Sequence, residues 1–381
     1  MSTHPKTFKN ATLILPDEVK DGSLTVGENG LIGDIGSPTD VNGHDCDGDY
    51  LLPGLIELHT DHLETHYAPR PKVRWNPIAA VQAHDAQIAC AGITTVFDAL
   101  RVGMDEDADL RYPDMRILAD AIETGKKENR LRADHFIHLR CEVSAVDVMN
   151  AFKVFEDDDS IRLISLMDHT PGQRQFVSLD AYKIYFQGKK GFSDAEMEAF
   201  IKHRQESASE HAPENRKRLS TIAQKRGISI ASHDDATKAH VDEAIDLNTK
   251  IAEFPTTKEA AKASHEAGMA VLMGAPNVVR GGSHSGNVSA KELAEAGHLD
   301  VLSSDYIPAS LVQAAFQLAD DIAAISLPKA IATVTSTPAK AIGLNDRGLL
   351  EQGLRADLIQ VKLVGNVPIV RGVWREGRRV A

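Results

Sequence analysis

The sequence predicts an α/β protein: a (β/α)8 TIM-like barrel over residues 51–344, carrying a small β-sandwich assembled from both termini, 1–50 and 345–381. Three observations predict it. The middle of the chain alternates short apolar runs with helix-period stretches, and the apolar runs number eight. Those runs repeatedly end in a histidine or a carboxylate, and the C-terminal strand ends are where such a barrel builds its active site. The two ends of the chain, by contrast, read as short strands and glycine turns.

The N-terminal segment contributes ATLILP, GSLTVGENG and LIGDIG, punctuated by Gly22, Gly27, Gly30, Gly33 and Gly36. A unit this small buries too little surface to stand alone, so it needs a distant partner. GLRADLIQVKLVGNVPIV, beginning at Gly353, supplies one. The barrel runs are Leu55–His59, Gly92–Ala99, His135–Glu142, Leu163–His169, Ile228–His233, Lys250–Phe254, Ala270–Met273 and Asp300–Asp305. Helical patterns such as PDMRILADAIETGKK and ENRKRLSTIAQKRG separate several of them. Residues 101–114 read as an acidic loop. The stretch 180–211 reads as an excursion ending in a charged helix, either solvated or a lid over substrate.

Composition narrows the function. A formal net charge of −13 argues against a nucleic-acid partner. No apolar run approaches the ~18 residues of a membrane span, and MSTHPKTFKN lacks the blocks of a signal peptide. Cys46, Cys90 and Cys141 are too scattered for a disulfide framework or a cysteine zinc site. Together these favour the cytoplasm. A polyanionic small substrate is still compatible with an acidic chain, provided cations are supplied locally.

The clearest chemical signal is LLPGLIELHTDHLE, residues 51–64. Side chains alternate along a strand, so His59 and Asp61 share one face, while His62 and Glu64 share the other. On strand three, His138, Arg140 and Glu142 share a face, and Ile137, Leu139 and Cys141 take the opposite one. His169, His233 and Asp305 close strands four, five and eight. His59, Asp61, Glu142, His169, His233 and Asp305 are therefore the expected metal ligands, for one or two divalent ions. Histidine with carboxylate suits zinc or manganese. His62 and Glu64 compete less well, and His66, His84 and His284 are weaker candidates. Asp234 and Asp235, ahead of ATKAHVDEA, read equally as helix N-caps.

PGLIELHTD, the strand-end ligands, the split terminal unit and the late GLRADLIQV resemble the amidohydrolase superfamily. Most members carry His-x-His on strand one; this chain has His59-x-Asp61, and Glu253-Phe254-Pro255 near strand six. APRPKVRW, AVQAHDA, ITTVFDA, SLMDHTPGQRQF, YFQGKKG, SHDDAT, AEFPTT, GAPNVVRGGSHSGN and LSSDYIPASL, in that order, resemble the ribosyl-triphosphate diphosphatases of carbon–phosphorus lyase metabolism. The resemblance implies metal-dependent hydrolysis of a ribosyl 5-triphosphate, with release of pyrophosphate. A nucleoside triphosphate is the other small-molecule substrate to consider. A homodimer would be unsurprising for that superfamily.

The residues offer the cations such a substrate needs. Arg70, Lys72 and Arg74 follow the first metal strand in a proline-stiffened loop. Arginine grips phosphate bidentately, while lysine acts as a point charge. Arg280, Gly281, Gly282, Ser283 and His284 have the composition of an anion loop after strand seven, and Lys183 would add charge from the excursion. Asp305 is the expected acceptor of the water proton. A deacetylase or cyclic amidase on the same barrel, and a non-catalytic scaffold, are the competing readings; the scaffold reading predicts missing ligands.

Overall fold

The structure is a computed structural model that describes residues 7–36, 43–103, 110–174, 179, 183, 191–283 and 286–381. The N-terminal segment forms β1 (Thr7–Ile14), β2 (Val19–Val26), β3 (Ile32–Gly36), β4 (His44–Asp45) and β5 (Tyr50–Pro53). The barrel strands follow: β6 (Leu55–Thr60), β7 (Ile93–Val102), β8 (Asp134–Glu142), β9 (Ile161–Met167), β10 (Ser229–His233), β11 (Ile251–Glu253), β12 (Ala270–Gly274) and β13 (Val301–Ser303). All eight expected runs are strands, with ends displaced by a few residues at most. They hydrogen-bond in chain order as one parallel sheet, and an isolated parallel bridge between Thr60 and Asp305 joins the first strand to the end of the last. That is a nearly closed barrel.

The strand sequences explain the architecture. Every residue of β6 is buried, as are nine of the ten in β7, the near-continuous burial expected of parallel strands covered on both faces. Gly54, at the entry to β6, is needed for contact: a Cβ there would lie 2.2 Å from Thr94 Oγ1. Its amide meanwhile donates to the Asp357 carbonyl at 2.7 Å.

β14 (Leu358–Val364), β15 (Val367–Arg375) and β16 (Arg378–Arg379) return from the far end of the chain. They complete a sheet of order β16-β15-β14-β5-β1-β2-β3, with β4 on β1. The β14–β5 junction is antiparallel, from Leu358 opposite Pro53 to Val361 opposite Tyr50. Phe8, Leu13, Leu24, Leu51, Leu358 and Trp374 form its core, with Phe8 and Trp374 edge to face at 4.9 Å.

Five helices matter below: α1 (Leu63–Tyr67), α2 (Pro77–Cys90), α3 (Tyr112–Lys127), α4 (Val148–Lys153) and α5 (Asp194–Arg226). α5 absorbs ENRKRLSTIAQKRG into one helix of 33 residues. A capping box starts it, with Ser193 and Glu196 exchanging side-chain and backbone bonds, and Gly227 in the left-handed region ends it. Most of the excursion before it, like residues 104–109 of the acidic loop, lies outside the described residues. By compactness the chain divides into two units. The first comprises Met1–Asp98, Ala121–Phe136 and Met273–Ala381; the second comprises Ala99–Asp120 and Ile137–Leu272. Among the described residues no helix is long and apolar enough to cross a membrane.

Candidate active site

In the first unit, β6 presents Glu57 and His59 at alternate positions, and Asp61 follows directly after it. Glu57 is fully buried and accepts from His59 N at 2.7 Å, Ser303 Oγ at 2.6 Å and Ser304 N at 2.5 Å. Burial raises its carboxyl above the ordinary range despite these donors. The carboxylate thus ties β6 to the end of β13. One residue further, Thr60 Oγ1 donates to the Asp305 carbonyl at 3.1 Å. Asp305 has φ 54°, a left-handed conformation uncommon outside glycine. His59 is buried, whereas Asp61 and Asp305 are half-buried. All three lie at the same end of adjoining strands.

In the second unit, β8 holds the predicted alternation. Glu142 accepts from His169 Nδ1 at 2.5 Å, from the His169 amide at 3.1 Å and from Ser144 Oγ at 2.5 Å. Burial alone would raise the Glu142 carboxyl; the His169 charge and these bonds outweigh it and hold it at about 2. Burial would lower the His169 imidazole, but Glu142 reverses that and raises it. His233 Nδ1 bonds Asp234 Oδ2 at 2.8 Å. Donor atoms of His169, His233 and Asp234 lie within 4.8 Å of one another. Two imidazoles with carboxylate oxygens form a donor set that fits zinc or manganese.

Asp234 and Asp235 are not N-caps. Thr237 caps the next helix, accepting from His240 N, because Asp234 turns left-handed at φ 56° directly after β10. Asp235 instead holds the buried Arg174 guanidinium, which also donates to Glu243 at 2.6 Å. The sequence put His138 on the Glu142 face without nominating it as a ligand. Its Nε2 donates to Ser165 Oγ, and that hydroxyl donates in turn to Glu253 Oε2 at 2.5 Å. The signals were present: Glu57 and His138 sit two and four residues before a nominated ligand, on the same face.

The basic loop follows α1. Arg70 and Lys72 are exposed and Arg74 half-buried, its guanidinium 5.9 Å from the Tyr67 ring centre. Lys72 adopts φ 64°. Trp75 N donates to the Tyr67 carbonyl at 2.7 Å, closing the loop on the helix. The first half of GAPNVVRGGSHSGN is helical, Ala275–Arg280, rather than an open loop. The Gly281 and Gly282 amides donate to the Val278 and Asn277 carbonyls at 3.1 and 2.8 Å. Those amides cap a helix C-terminus, so they are engaged within the chain rather than open to an anion. Lys183 is half-buried, and His284 lies outside the described residues.

Comparison with known proteins follows the same lines. The sequence signature described as the amidohydrolase family matches residues 139–381. The chain is 46% identical over 376 residues to the alpha-D-ribose 1-methylphosphonate 5-triphosphate diphosphatase of Escherichia coli (strain K12), covering 98% of this chain and 99% of that one. In fold it is similar to 5-methylcytosine deaminase from Klebsiella pneumoniae, with TM-score 0.65, 14% identity and 98% of each chain covered. It is also similar to N-acetylglucosamine-6-phosphate deacetylase from Pasteurella multocida, with TM-score 0.62, 14% identity and 98% of each covered.

Proposed function

This chain belongs to the amidohydrolase family, and from that premise we propose that it hydrolyses alpha-D-ribose 1-methylphosphonate 5-triphosphate to the 5-phosphate and pyrophosphate. The observation that carries this reading is the 46% identity to that diphosphatase, spanning nearly the whole of both chains. The protein is thus an enzyme acting on a phosphoanhydride bond of a small molecule, in carbon–phosphorus lyase use of phosphonates. A cytoplasmic homodimer is the setting this reading favours, with 51–344 as the hydrolase barrel and 1–50 with 345–381 as the β-sandwich domain.

We assign His59, Asp61 and Asp305 in the first unit, and Glu142, His169 and His233 in the second, as ligands of one or two divalent ions, zinc or manganese. When bound, such an ion would supply Lewis-acid chemistry, lowering the pKa of a water towards neutrality. Asp305 takes the water proton as the oxygen attacks the α-phosphorus, and pyrophosphate leaves in one step. Arg70, Arg74 and Arg280 stabilise charge collecting on that leaving group. Lys72, Lys183 and Ser283 add further donors, and His284 belongs to the same proposed set. The half-exposed side chains of Asp61 and Asp305, beside a buried His59, support an open ligand position at that strand end.

Phosphorus NMR of the products tests the reaction. Pyrophosphate with the ribosyl 5-phosphate is the expected pair; orthophosphate with a 5-diphosphate would refute attack at the α-phosphorus.

A further inference from the structure

The first unit holds a second cluster of imidazoles that the proposed reaction does not use. His62 precedes α1 and His66 lies within it, four residues apart and so on one helical face. His84 comes from the middle of α2 and is fully buried. Each ring offers a nitrogen within 4.8 Å of one from each of the other two.

What lies behind His84 is informative. Its Nε2 bonds Asp98 Oδ1 at 2.8 Å, and Asp98 Oδ2 bonds His135 Nδ1 at 2.7 Å. Asp98 is fully buried, and each of its two oxygens is engaged by one of the two rings. Nε2 is thus the His84 nitrogen turned to the carboxylate, which leaves Nδ1 as the nitrogen a cation would take. That Nδ1 is buried with no hydrogen-bond partner, and so is Nδ1 of His62. A carboxylate fixing one ring nitrogen while the other is left as a bare acceptor is the arrangement that orients a metal-binding histidine.

We propose that His62, His66 and His84 form a separate site for a first-row transition-metal cation such as zinc, with Asp98 orienting His84. Three imidazoles suit such a cation rather than magnesium or calcium, which prefer oxygen. Metal–nitrogen bonds of about 2.0–2.1 Å require the rings to draw together slightly, and His62 and His66 are only half-buried. The ion would clamp α1 to α2. α1 has five residues and no side-chain N-cap bond, too short to be stable by itself, and the loop of Arg70, Lys72 and Arg74 hangs from its end. The role is therefore structural.

Metal content of the full-length protein after zinc loading and desalting tests this, with circular dichroism confirming the fold. His66→Ala and His62→Gln should each bind one zinc fewer than the unsubstituted protein, while His59→Ala keeps the ion at this site. Asp98→Asn should weaken that ion roughly 10- to 100-fold. In the unsubstituted protein zinc should also slow tryptic cleavage after Lys72 and Arg74, and His66→Ala should abolish the protection. Unchanged zinc stoichiometry in either His66→Ala or His62→Gln overturns the site. The product analysis above is a separate readout, so either idea can fail alone.

Discussion

His135 is buried between two carboxylates, with Nδ1 2.7 Å from Asp98 and Nε2 3.3 Å from Asp85. Both ring nitrogens donate, so the ring is an imidazolium. Burial alone would depress it; the Asp98 charge and the two hydrogen bonds raise it from 6.5 to about 9. A group raised on folding stabilises the native state fully below its unfolded pKa, and that contribution is lost as pH rises through the folded value. The urea midpoint should therefore fall between about pH 6.5 and 9, and His135→Gln should flatten the fall. An equal slope in both proteins would place the titration elsewhere. At this scale the sequence was readable where chemistry and spacing coincided. Glu142 and His169, nominated as strand-end residues, meet in a hydrogen bond. Glu57 was hidden because it is embedded in an apolar run, and His138, though alternation put it on the Glu142 face, was not nominated because it lies within the strand rather than at its end. The N-cap alternative for Asp234 stayed open in the sequence because a left-handed turn after a strand leaves no pattern in residue type.

At the scale of the element, the Pro53-Gly54 break shows why an apolar run needs punctuation. The terminal sheet ends at Pro53 and the barrel begins at Leu55, so one residue must serve both. Gly54 passes so close to Thr94 that any side chain collides. Gly54→Ala should cost roughly 1–3 kcal/mol through overpacking, read as a lower urea midpoint; adding Thr94→Ser, which removes a methyl that the new Cβ would meet, should recover part of it. Full stability of Gly54→Ala would mean that the junction gives way freely. Strand existence was legible at all eight positions because buried parallel strands are continuous apolar runs. The helix Ala275–Arg280 was not, since Gly-Ala-Pro-Asn reads as loop until proline is placed in a first helical turn.

At the scale of the molecule, the sheet of both termini rests on aromatic packing from opposite ends of the chain. Trp374 is buried against Phe8, with Leu51 and Leu358 in the same core. Trp374→Ala should cost about 3–5 kcal/mol. If that loss stays within the terminal sheet, hydrogen exchange will rise at β1, β5 and β14 and remain unchanged in β8 and β9; a uniform rise would mean that the protein unfolds as one cooperative body. The glycine-rich start and the strand-rich end suggested this pairing because neither stretch buries enough surface alone. Register was not readable, because β14 meets β5 across some three hundred intervening residues and no local pattern encodes a partner so far away.

That junction also sets an order of events during synthesis. β14, the strand that covers the edge of β5, is made some three hundred residues after it. At about 5–20 residues per second, the N-terminal strands wait on the order of 15–60 seconds with Phe8, Leu13 and Leu51 uncovered. The nascent chain thus carries an uncovered sheet edge for that whole interval, until β14 pairs with β5.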